Sequence, residues 1–320
     1  MPHRLRLSFI ASAVLVLSLA GAGAADAGAP IYPHSSAGDR GADVQAIQGL
    51  LREATAPTLY ISGVFDAATV TAVRSFQASR GLPVTGMVDA GTWVRLIVRL
   101  PQGATGEAVK VVQRQLNAKR RAGLAVDGTL AGATVTAVRT FQRHAGLPVT
   151  GTVEASTWRY LIGHFESPAF GRWMCGYEVG NGPAHWATGA AIGAVRAAAV
   201  TVGLSGRGPV AIGDASFEHG GDMPGHQSHE RGLDVDIRIM RRDDRQCQWG
   251  GNYRMSVYDR NATRALIKAI RAAAPGHIKV IYFNDPVLIR EGLTRWYRGH
   301  DDHLHVRYCA RVYPLATYDC

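Results

Sequence analysis

The chain has 320 residues, 47% of them hydrophobic, which is enough to bury the cores of two or three domains. Its 35 basic and 25 acidic residues give a formal net charge of +10. The basic residues are scattered rather than clustered and form no nucleic-acid motif, so this charge does not indicate DNA or RNA as a partner.

The first 27 residues are organised like a signal peptide. Arg4 and Arg6 precede an apolar run from Leu7 to Ala20, and small residues suited to cleavage follow at residues 22–27. The run is short for a membrane span, and no later segment resembles one; an uncleaved anchor is the alternative. We therefore expect an exported protein without stable membrane insertion after the signal is removed. Outside the cell, the positive charge suits an anionic wall polymer or a membrane surface.

An exported chain meets an oxidising compartment, so its four cysteines are expected to form two disulfides. The sequence by itself allows three pairings. Our working hypothesis joins Cys175 to Cys247 and Cys309 to Cys320, the second pair closing a short C-terminal loop.

Two copies of one repeat follow the signal segment, at residues 37–99 and 102–164, with an offset of 65 residues. The corresponding segments are Thr69–Gln77 with Thr134–Gln142, Gly81–Gly86 with Gly146–Gly151, and Thr92–Trp93 with Thr157–Trp158. In each copy a helical pattern precedes a Gly/Asp turn, a second helical pattern, a Gly-Leu-Pro turn and a short third helix that carries the tryptophan. The pattern predicts two small three-helix modules.

These repeats resemble the peptidoglycan-binding domains found beside many cell-wall hydrolases, in their Asp/Gly turn, Phe-Gln pair, Gly-Leu-Pro turn and Thr-Trp pair. The resemblance implies peptidoglycan as the partner and a location in the cell wall or periplasm. Helical spacing itself indicates only a core, so Phe76, Trp93 and their counterparts are expected to pack inside, and the glycan-contacting residues stay unassigned. Two linked weak binders would raise the local concentration of the chain on an insoluble wall.

Residues 168–320 form a third predicted domain. Helical patterns cover residues 186–202 and 262–274, and strand patterns cover residues 209–213, 234–239, 277–283 and 303–308. Helices that precede and separate such strands favour an α+β domain with a small, mainly antiparallel sheet. The whole chain is thus predicted to be multidomain, with two all-α modules before this domain.

Two of the predicted strands carry polar residues on one face. In the strand at residues 234–239, polar and apolar side chains alternate, which places Asp234 and Asp236 together. In the last strand the same alternation places His303 and His305 on one face, roughly 6.5–7 Å apart. Both histidines could bind one metal, or one could ligate while the other reaches a metal-bound water; the spacing does not choose.

His229 lies seven residues before Asp236, so the two would face opposite sides of one continuous strand. We expect a loop that turns at the permissive Gly232 and brings His229 beside the strand. Imidazole and carboxylate ligands can hold zinc with one position open for water, which indicates metal-assisted hydrolysis. A closed structural zinc site would prefer cysteine ligands, and none lies in this segment. Asp234 is expected either to orient a histidine or to be a solvated strand residue.

The ordered motifs of this region resemble those of the penicillin-insensitive murein endopeptidases, in the group of zinc peptidases that includes lysostaphin-type enzymes and D-Ala-D-Ala carboxypeptidases. The matching segments are residues 213–216, 220–221, 225–237 and 299–307. The resemblance implies a zinc cofactor held by three side chains, with three further histidines in the active site. The implied zinc ligands are His229, Asp236 and His305. The implied catalytic residue is His303, with His226 and His300 beside it.

The activity implied by this resemblance is hydrolysis of the cross-linking peptides of peptidoglycan, at the D-alanyl–diaminopimelate bond. A zinc D-Ala-D-Ala carboxypeptidase is the alternative, but that group has a glutamate shortly before its last ligand histidine, where this chain has His303-Leu-His305. Two other hypotheses are a wall-binding protein with a relic metal site and a zinc enzyme that acts on other secreted peptides. A relic site predicts strong wall binding without cleavage.

Overall fold

The computed structural model describes residues 32–177 and 183–309, which contain nine helices and five strands. The signal segment at residues 1–27 lies outside the described residues, as does Cys320 and with it the expected Cys309–Cys320 disulfide. In the part of the chain that the structure describes, no helix combines the length and the apolar character needed to cross a bilayer.

Each repeat forms the three helices that its sequence pattern predicts. The first repeat has α1 (Ala42–Ala54), α2 (Ala67–Ser79) and α3 (Ala90–Leu96). The second repeat has α4 (Glu107–Arg120), α5 (Gly132–His144) and α6 (Ala155–Gly163). Asp66 and Asp89 cap α2 and α3, since each carboxylate accepts a hydrogen bond from a backbone N–H in the first helical turn.

The aromatic side chains predicted to pack inside lie in the core of the repeats. The exposed fraction is at most 1% for Phe76 and Trp93 of the first repeat and for Phe141 and Trp158 of the second. Each tryptophan also donates an indole hydrogen bond to a backbone carbonyl, at 2.8 Å in the first repeat and 2.7 Å in the second. These four residues therefore stabilise the modules and offer no surface to a glycan.

The two repeats pack directly on each other through α1 and α4. Lys119 on α4 is almost fully buried, and its Nζ donates to Asp43 Oδ1 on α1 at 2.7 Å and to the carbonyl oxygen of Ile162 at 2.6 Å. The side chain of Gln115 donates to the carbonyl oxygen of Ala42 at 2.7 Å. The repeats thus form one helical unit rather than two separately linked modules.

The third domain contains one five-stranded sheet within the described residues. Its strands are β1 (Met174–Gly176), β2 (Val210–Ile212), β3 (Asp234–Arg238), β4 (Ile278–Tyr282) and β5 (His303–Tyr308). Its helices are α7 (Gly189–Leu204), α8 (Arg260–Ala273) and α9 (Pro286–Arg290). The strand order is β1-β2-β3-β5-β4, with β1 and β2 parallel and the other neighbours antiparallel. This arrangement confirms the α+β prediction.

The two faces of the central strands differ in chemistry, as the alternating pattern predicts. The apolar residues of β3 and β5 are fully buried in a core that includes α7 and α8. Because side chains alternate along a strand, the polar residues of β3 and β5 lie on the opposite face. The antiparallel register pairs Asp236 with His305 and Arg238 with His303. The fold therefore brings the two polar motifs side by side.

One of the two expected disulfides is confirmed. Cys175 on β1 is bonded to Cys247, which lies in the segment after β3. The bond closes a loop of chain that includes α7, β2 and β3. It therefore ties the edge strand of the sheet to the segment that follows the central strand.

The helical unit is joined to the third domain by a close approach of α1 to α7. A Cβ atom added to Gly193 would lie 2.5 Å from the carbonyl oxygen of Arg40. A Cβ atom added to Gly41, whose φ is +111°, would lie 2.5 Å from the carbonyl oxygen of Gly189. Both contacts require glycine, because a side chain at either position would separate the two parts of the molecule.

Candidate metal centre

Three of the predicted site residues converge beside the sheet. His229 lies in the loop between β2 and β3, Asp236 lies on β3 and His305 lies on β5. His305 Nδ1 is 3.1 Å from Asp236 Oδ1 and 3.2 Å from His229 Nε2, and His229 Nε2 is 3.5 Å from Asp236 Oδ1. All three side chains are buried. The loop and the two strands therefore bring together three potential ligand atoms.

The loop before β3 turns in the way that its sequence suggests. Gly232 has a φ of +64°, a conformation that glycine adopts without strain. His229 itself has a φ of +78°, which is uncommon for a residue with a side chain. Its backbone N–H is held by Asp234 Oδ2 at 3.3 Å. Strained backbone of this kind is typical of sites where the position of a side chain matters more than local stability.

Hydrogen bonds select the tautomer of the two imidazoles. His229 Nδ1 donates to the carbonyl oxygen of Ala215 at 2.9 Å, and His305 Nε2 donates to Asp234 Oδ1 at 2.8 Å. In the neutral imidazoles, the other nitrogens, which face Asp236, therefore carry lone pairs. Metal-ligating histidines are held in this manner.

Asp234 is a buried positioning residue, which decides between the two roles expected for it. Its carboxylate is fully buried and accepts hydrogen bonds from His305 and, at 2.7 Å, from Arg307 Nε. Arg307 also donates to the hydroxyl of Ser228, next to His229 in the chain, at 2.7 Å. Asp234 and Arg307 thus connect the loop that carries His229 to the strand that carries His305.

The donor set fits a divalent cation. Asp236 Oδ1 is buried and makes no hydrogen bond, although it lies within 3.7 Å of nitrogens of His229, His303 and His305. A buried carboxylate oxygen normally has a partner, so this arrangement indicates that a cation completes the site. A ligand atom of His226 also lies within 4.8 Å of those of His229 and Asp236, so a fourth donor is nearby.

The electrostatic field of the site favours a bound positive charge. Burial alone would raise the pKa of Asp236, but electrostatic interactions with the imidazoles of His229 and His303 outweigh burial and hold this pKa well below its usual value. Burial alone would lower the pKa of His305, but the carboxylates of Asp234 and Asp236 raise it to about 9. Binding of a metal ion to His305 therefore competes with its protonation.

The remaining predicted histidines line the same site. His303 Nε2 is 3.7 Å from Asp236 Oδ1, and the ring centroids of His300 and His303 are 4.8 Å apart. His226 lies beside His229, with ring centroids 4.3 Å apart. Burial, reinforced by His303 and His305, lowers the pKa of His300 to about 4. All six residues singled out from the sequence are therefore gathered in one site.

Sequence reasoning assigned no role to two carboxylates that the structure places here. Asp214 Oδ2 accepts a hydrogen bond from His226 Nε2 at 3.0 Å, and Asp302 Oδ1 accepts one from His303 Nδ1 at 2.7 Å. Asp302 directly precedes His303, so its position in the chain was a usable signal. Asp214 lies fifteen residues before His229, so its spacing gave no sign of this contact, although it belongs to the matching segment at residues 213–216.

Aromatic side chains form one wall of the site. The ring of Tyr282 on β4 lies 5.8 Å from that of His305 and 4.9 Å from that of Tyr297, between centroids. The hydroxyl of Tyr297 donates to Gln227 Oε1 at 2.8 Å. This bond links the segment before β5 to the loop that carries His226 and His229. The sequence pattern had not indicated either tyrosine.

Comparison with known families divides the chain in the same way as its fold. Residues 40–96 and 105–161 each match the model of a peptidoglycan binding domain. Residues 182–281 match the model of the penicillin-insensitive murein endopeptidase family. No curated protein matches the chain significantly. The endopeptidase match includes His226, His229 and Asp236 but ends before His300, His303 and His305, whose place in the site rests on the geometry above.

Proposed function

We propose, for a chain that joins two peptidoglycan-binding repeats to a murein endopeptidase domain, that it is a secreted, zinc-dependent enzyme that cuts the cross-links of peptidoglycan. The observation that carries the zinc assignment is the buried, unpartnered Asp236 Oδ1 among imidazole nitrogens. Two imidazoles and one carboxylate are a ligand set that zinc accepts in hydrolases, with a further position left for water.

In this proposal, zinc is held by His229, Asp236 and His305. A zinc ion in such a site supplies Lewis-acid activation of a carbonyl group and of a water molecule. The contribution of the protein is to hold both imidazoles in the ligating tautomer through Ala215 and Asp234, and to keep the site buried. His226 is a further side chain close enough to take part.

His303 is proposed as the residue that moves protons. Its Nδ1 donates to Asp302, which leaves Nε2 directed towards the Asp236 side of the site. An imidazole held in this way can accept a proton at Nε2 and later return it to the leaving amine. The low pKa of His300 keeps its imidazole uncharged at neutral pH, so it is proposed to hydrogen-bond the reacting group rather than to carry charge.

The proposed substrate is the D-alanyl–diaminopimelate cross-link, following the family that residues 182–281 match. An open cleft of about 790 Å³ supports an anionic polymer as the ligand. The cleft is lined by Arg120 and Arg121 of the second repeat, by Glu218, and by Tyr177 of the catalytic domain. Basic side chains in such a cleft suit the carboxylates of wall peptides.

The test combines metal content with product analysis for the mature chain and two variants. Cross-linked muropeptide dimers and pentapeptide monomers are incubated separately with the enzyme, and their products are identified by mass. We expect dimers to be converted to monomers, and a chelator to abolish the reaction. His305→Ala is expected to lose the zinc of this site and activity, whereas His303→Ala is expected to keep that zinc and lose turnover. His34→Ala, at a histidine that precedes the first repeat, is the matched control and should keep both.

Other outcomes would select other functions. Release of terminal alanine alone would identify a carboxypeptidase. Binding to the wall without cleavage, and without an effect of the chelator, would identify a relic site. Cleavage of unrelated secreted peptides but not of muropeptides would make the repeats a retention device only. Full activity in both His303→Ala and His305→Ala would show that the site assignment is wrong.

A further inference from the structure

A second cluster of histidines lies where the second repeat meets the catalytic domain. His144 is the last residue of α5, His164 follows α6, and His219 lies in the loop between β2 and β3. Their ring centroids are 5.0–5.7 Å apart, and one potential ligand atom from each residue lies within 4.8 Å of the others. The cluster therefore combines two domains and is separate from the six residues of the proposed active site.

His164 is held in the form that a metal ligand requires. Its Nδ1 donates to the carbonyl oxygen of Phe165 at 2.7 Å, so in the neutral ring the lone pair is on Nε2. That Nε2 is buried and has no hydrogen-bond partner. Proteins orient a ligating histidine in this way: one ring nitrogen donates a hydrogen bond to a carbonyl oxygen, and the other nitrogen keeps its lone pair for the metal.

The other two imidazoles can adapt to an ion. In tetrahedral zinc sites with Zn–N bonds of 2.0–2.1 Å, ligand nitrogens are about 3.3 Å apart, so this cluster must tighten when an ion binds. His144 and His219 are exposed, and their side chains can rotate towards the fixed His164. Imidazole ligands suit zinc, copper and nickel rather than magnesium or calcium.

A carboxylate supports the cluster. Glu218 Oε1 lies 3.3 Å from His144 Nε2 and 3.6 Å from His164 Nε2, and it also accepts a hydrogen bond from Arg120. Glu218 therefore offsets the charge of Arg120 beside the imidazoles. Its negative charge favours a cation at the same place.

We propose that His144, His164 and His219 form a second site for a divalent transition metal, which fastens the second repeat to the catalytic domain. The ion would bridge α5 and the segment after α6 to the β2–β3 loop. That same loop continues to His226 and His229, so occupation of the second site restrains the base of the loop that enters the active site. The proposal does not depend on what reaction the enzyme catalyses.

The experiment titrates Zn²⁺ into the mature, untagged and metal-free chain, by calorimetry, and measures hydrogen exchange with and without zinc. We expect two equivalents to bind to the wild type and one to the double variant His144→Ala/His219→Ala. Both substituted residues are exposed, so the variant should fold. Zinc beyond the first equivalent is expected to slow amide exchange around Glu218 and His164 in the wild type but not in the double variant. Cleavage of muropeptides should persist in the double variant.

Matched variants test the second metal site independently of the proposed zinc active site. His34→Ala should retain both equivalents, and His305→Ala should retain the equivalent that the double variant loses. If His305→Ala binds as many equivalents as the wild type while the double variant binds one fewer, the second site stands and the zinc active site fails. If the double variant binds zinc with the stoichiometry and affinity of the wild type, the second site does not exist.

Discussion

At the scale of single residues, each histidine of the proposed active site has at least one ring nitrogen held by a hydrogen bond. Ala215 holds His229 and Asp234 holds His305, which leaves the ligating nitrogens directed at Asp236. The sequence identified the histidines, because their spacing and order are recognisable. It could not identify the carbonyl of Ala215, since every residue has a carbonyl and only the folded chain shows which one meets a given imidazole.

The first prediction at this scale concerns Asp234→Asn. The substitution removes the charge that holds His305 in its ligating tautomer, while the side chain keeps its size. We expect affinity for zinc at the active site to fall by about 10–100-fold, as is typical for a lost partner of a ligating histidine. Competition with a chelator of known affinity measures the change.

Asp243→Asn is the matched control for this prediction. Asp243 is also paired with an arginine, Arg241, at 2.6 Å, but it is partly exposed and lies outside the metal centre. Its substitution should leave zinc affinity unchanged. Unchanged zinc affinity in Asp234→Asn as well would show that Asp234 does not position the ligand.

At the scale of elements, the repeats depend on capping and on packing of aromatic residues. Most equivalent positions of the two repeats make the same contacts: Gln77 and Gln142 each accept a hydrogen bond from the backbone N–H of the glycine that ends the Gly-Leu-Pro turn. The caps differ, because Asp66 is replaced in the second repeat by Ala131, whose side chain cannot accept a hydrogen bond. The helical spacing of the apolar residues is therefore enough to predict the helices of both repeats, whether or not a capping side chain is present.

The prediction at this scale concerns Tyr32, which stacks on Trp93 of α3 with ring centroids 6.0 Å apart. Burial raises the pKa of Tyr32 to about 12. Above its ordinary pKa of 10.0, the unfolded chain releases the phenolic proton while the folded chain keeps it, so the free energy of unfolding falls as pH rises from about 10 to 12. Tyr32→Phe should lack this part of the decrease.

Chemical unfolding of both proteins between pH 9 and pH 12 measures the difference. Other groups titrate in the same range, but they do so in the wild type and in Tyr32→Phe alike. The gap between the two stabilities should therefore change with pH in the stated direction. A constant gap would mean that Tyr32 is not buried in the folded protein.

At the scale of the whole molecule, the repeats, the catalytic domain and the cleft between them form one assembly. The buried Lys119–Asp43 pair joins the two repeats, and Gly189 of α7 approaches so closely that a Cβ there would lie 2.7 Å from Asp43 Oδ2. The repeats thus hold the basic residues of α4 beside the catalytic domain. We propose that this packing, rather than a flexible linker, positions the wall-binding repeats relative to the catalytic domain.

The prediction at this scale is that Lys119→Met lowers the free energy of unfolding by about 3–5 kcal/mol, because it leaves the charge of Asp43 buried without a partner. Thermal or chemical unfolding measures the loss. The double variant Lys119→Met/Asp43→Leu should recover much of the stability, since neither charge then remains.

Arg99→Ala is the matched control, because Arg99 and Glu154 form an ion pair at 2.9 Å that is largely exposed. Exposed pairs contribute about 0–1 kcal/mol, so this substitution should have a small effect. Equal effects of Lys119→Met and Arg99→Ala would show that the junction between the repeats is not buried in solution.

The amino-acid sequence by itself determined the repeats, the α+β character of the third domain and the six residues of the candidate site. Those features depend on periodicity and on the order of motifs, which neighbours in the chain encode. Only the tertiary structure decided the packing of α1 on α4, the partners of each imidazole and the second cluster around His164. These features are contacts between residues far apart in the sequence, such as His144 and His219. Such residues come together only through the packing of whole helices and loops.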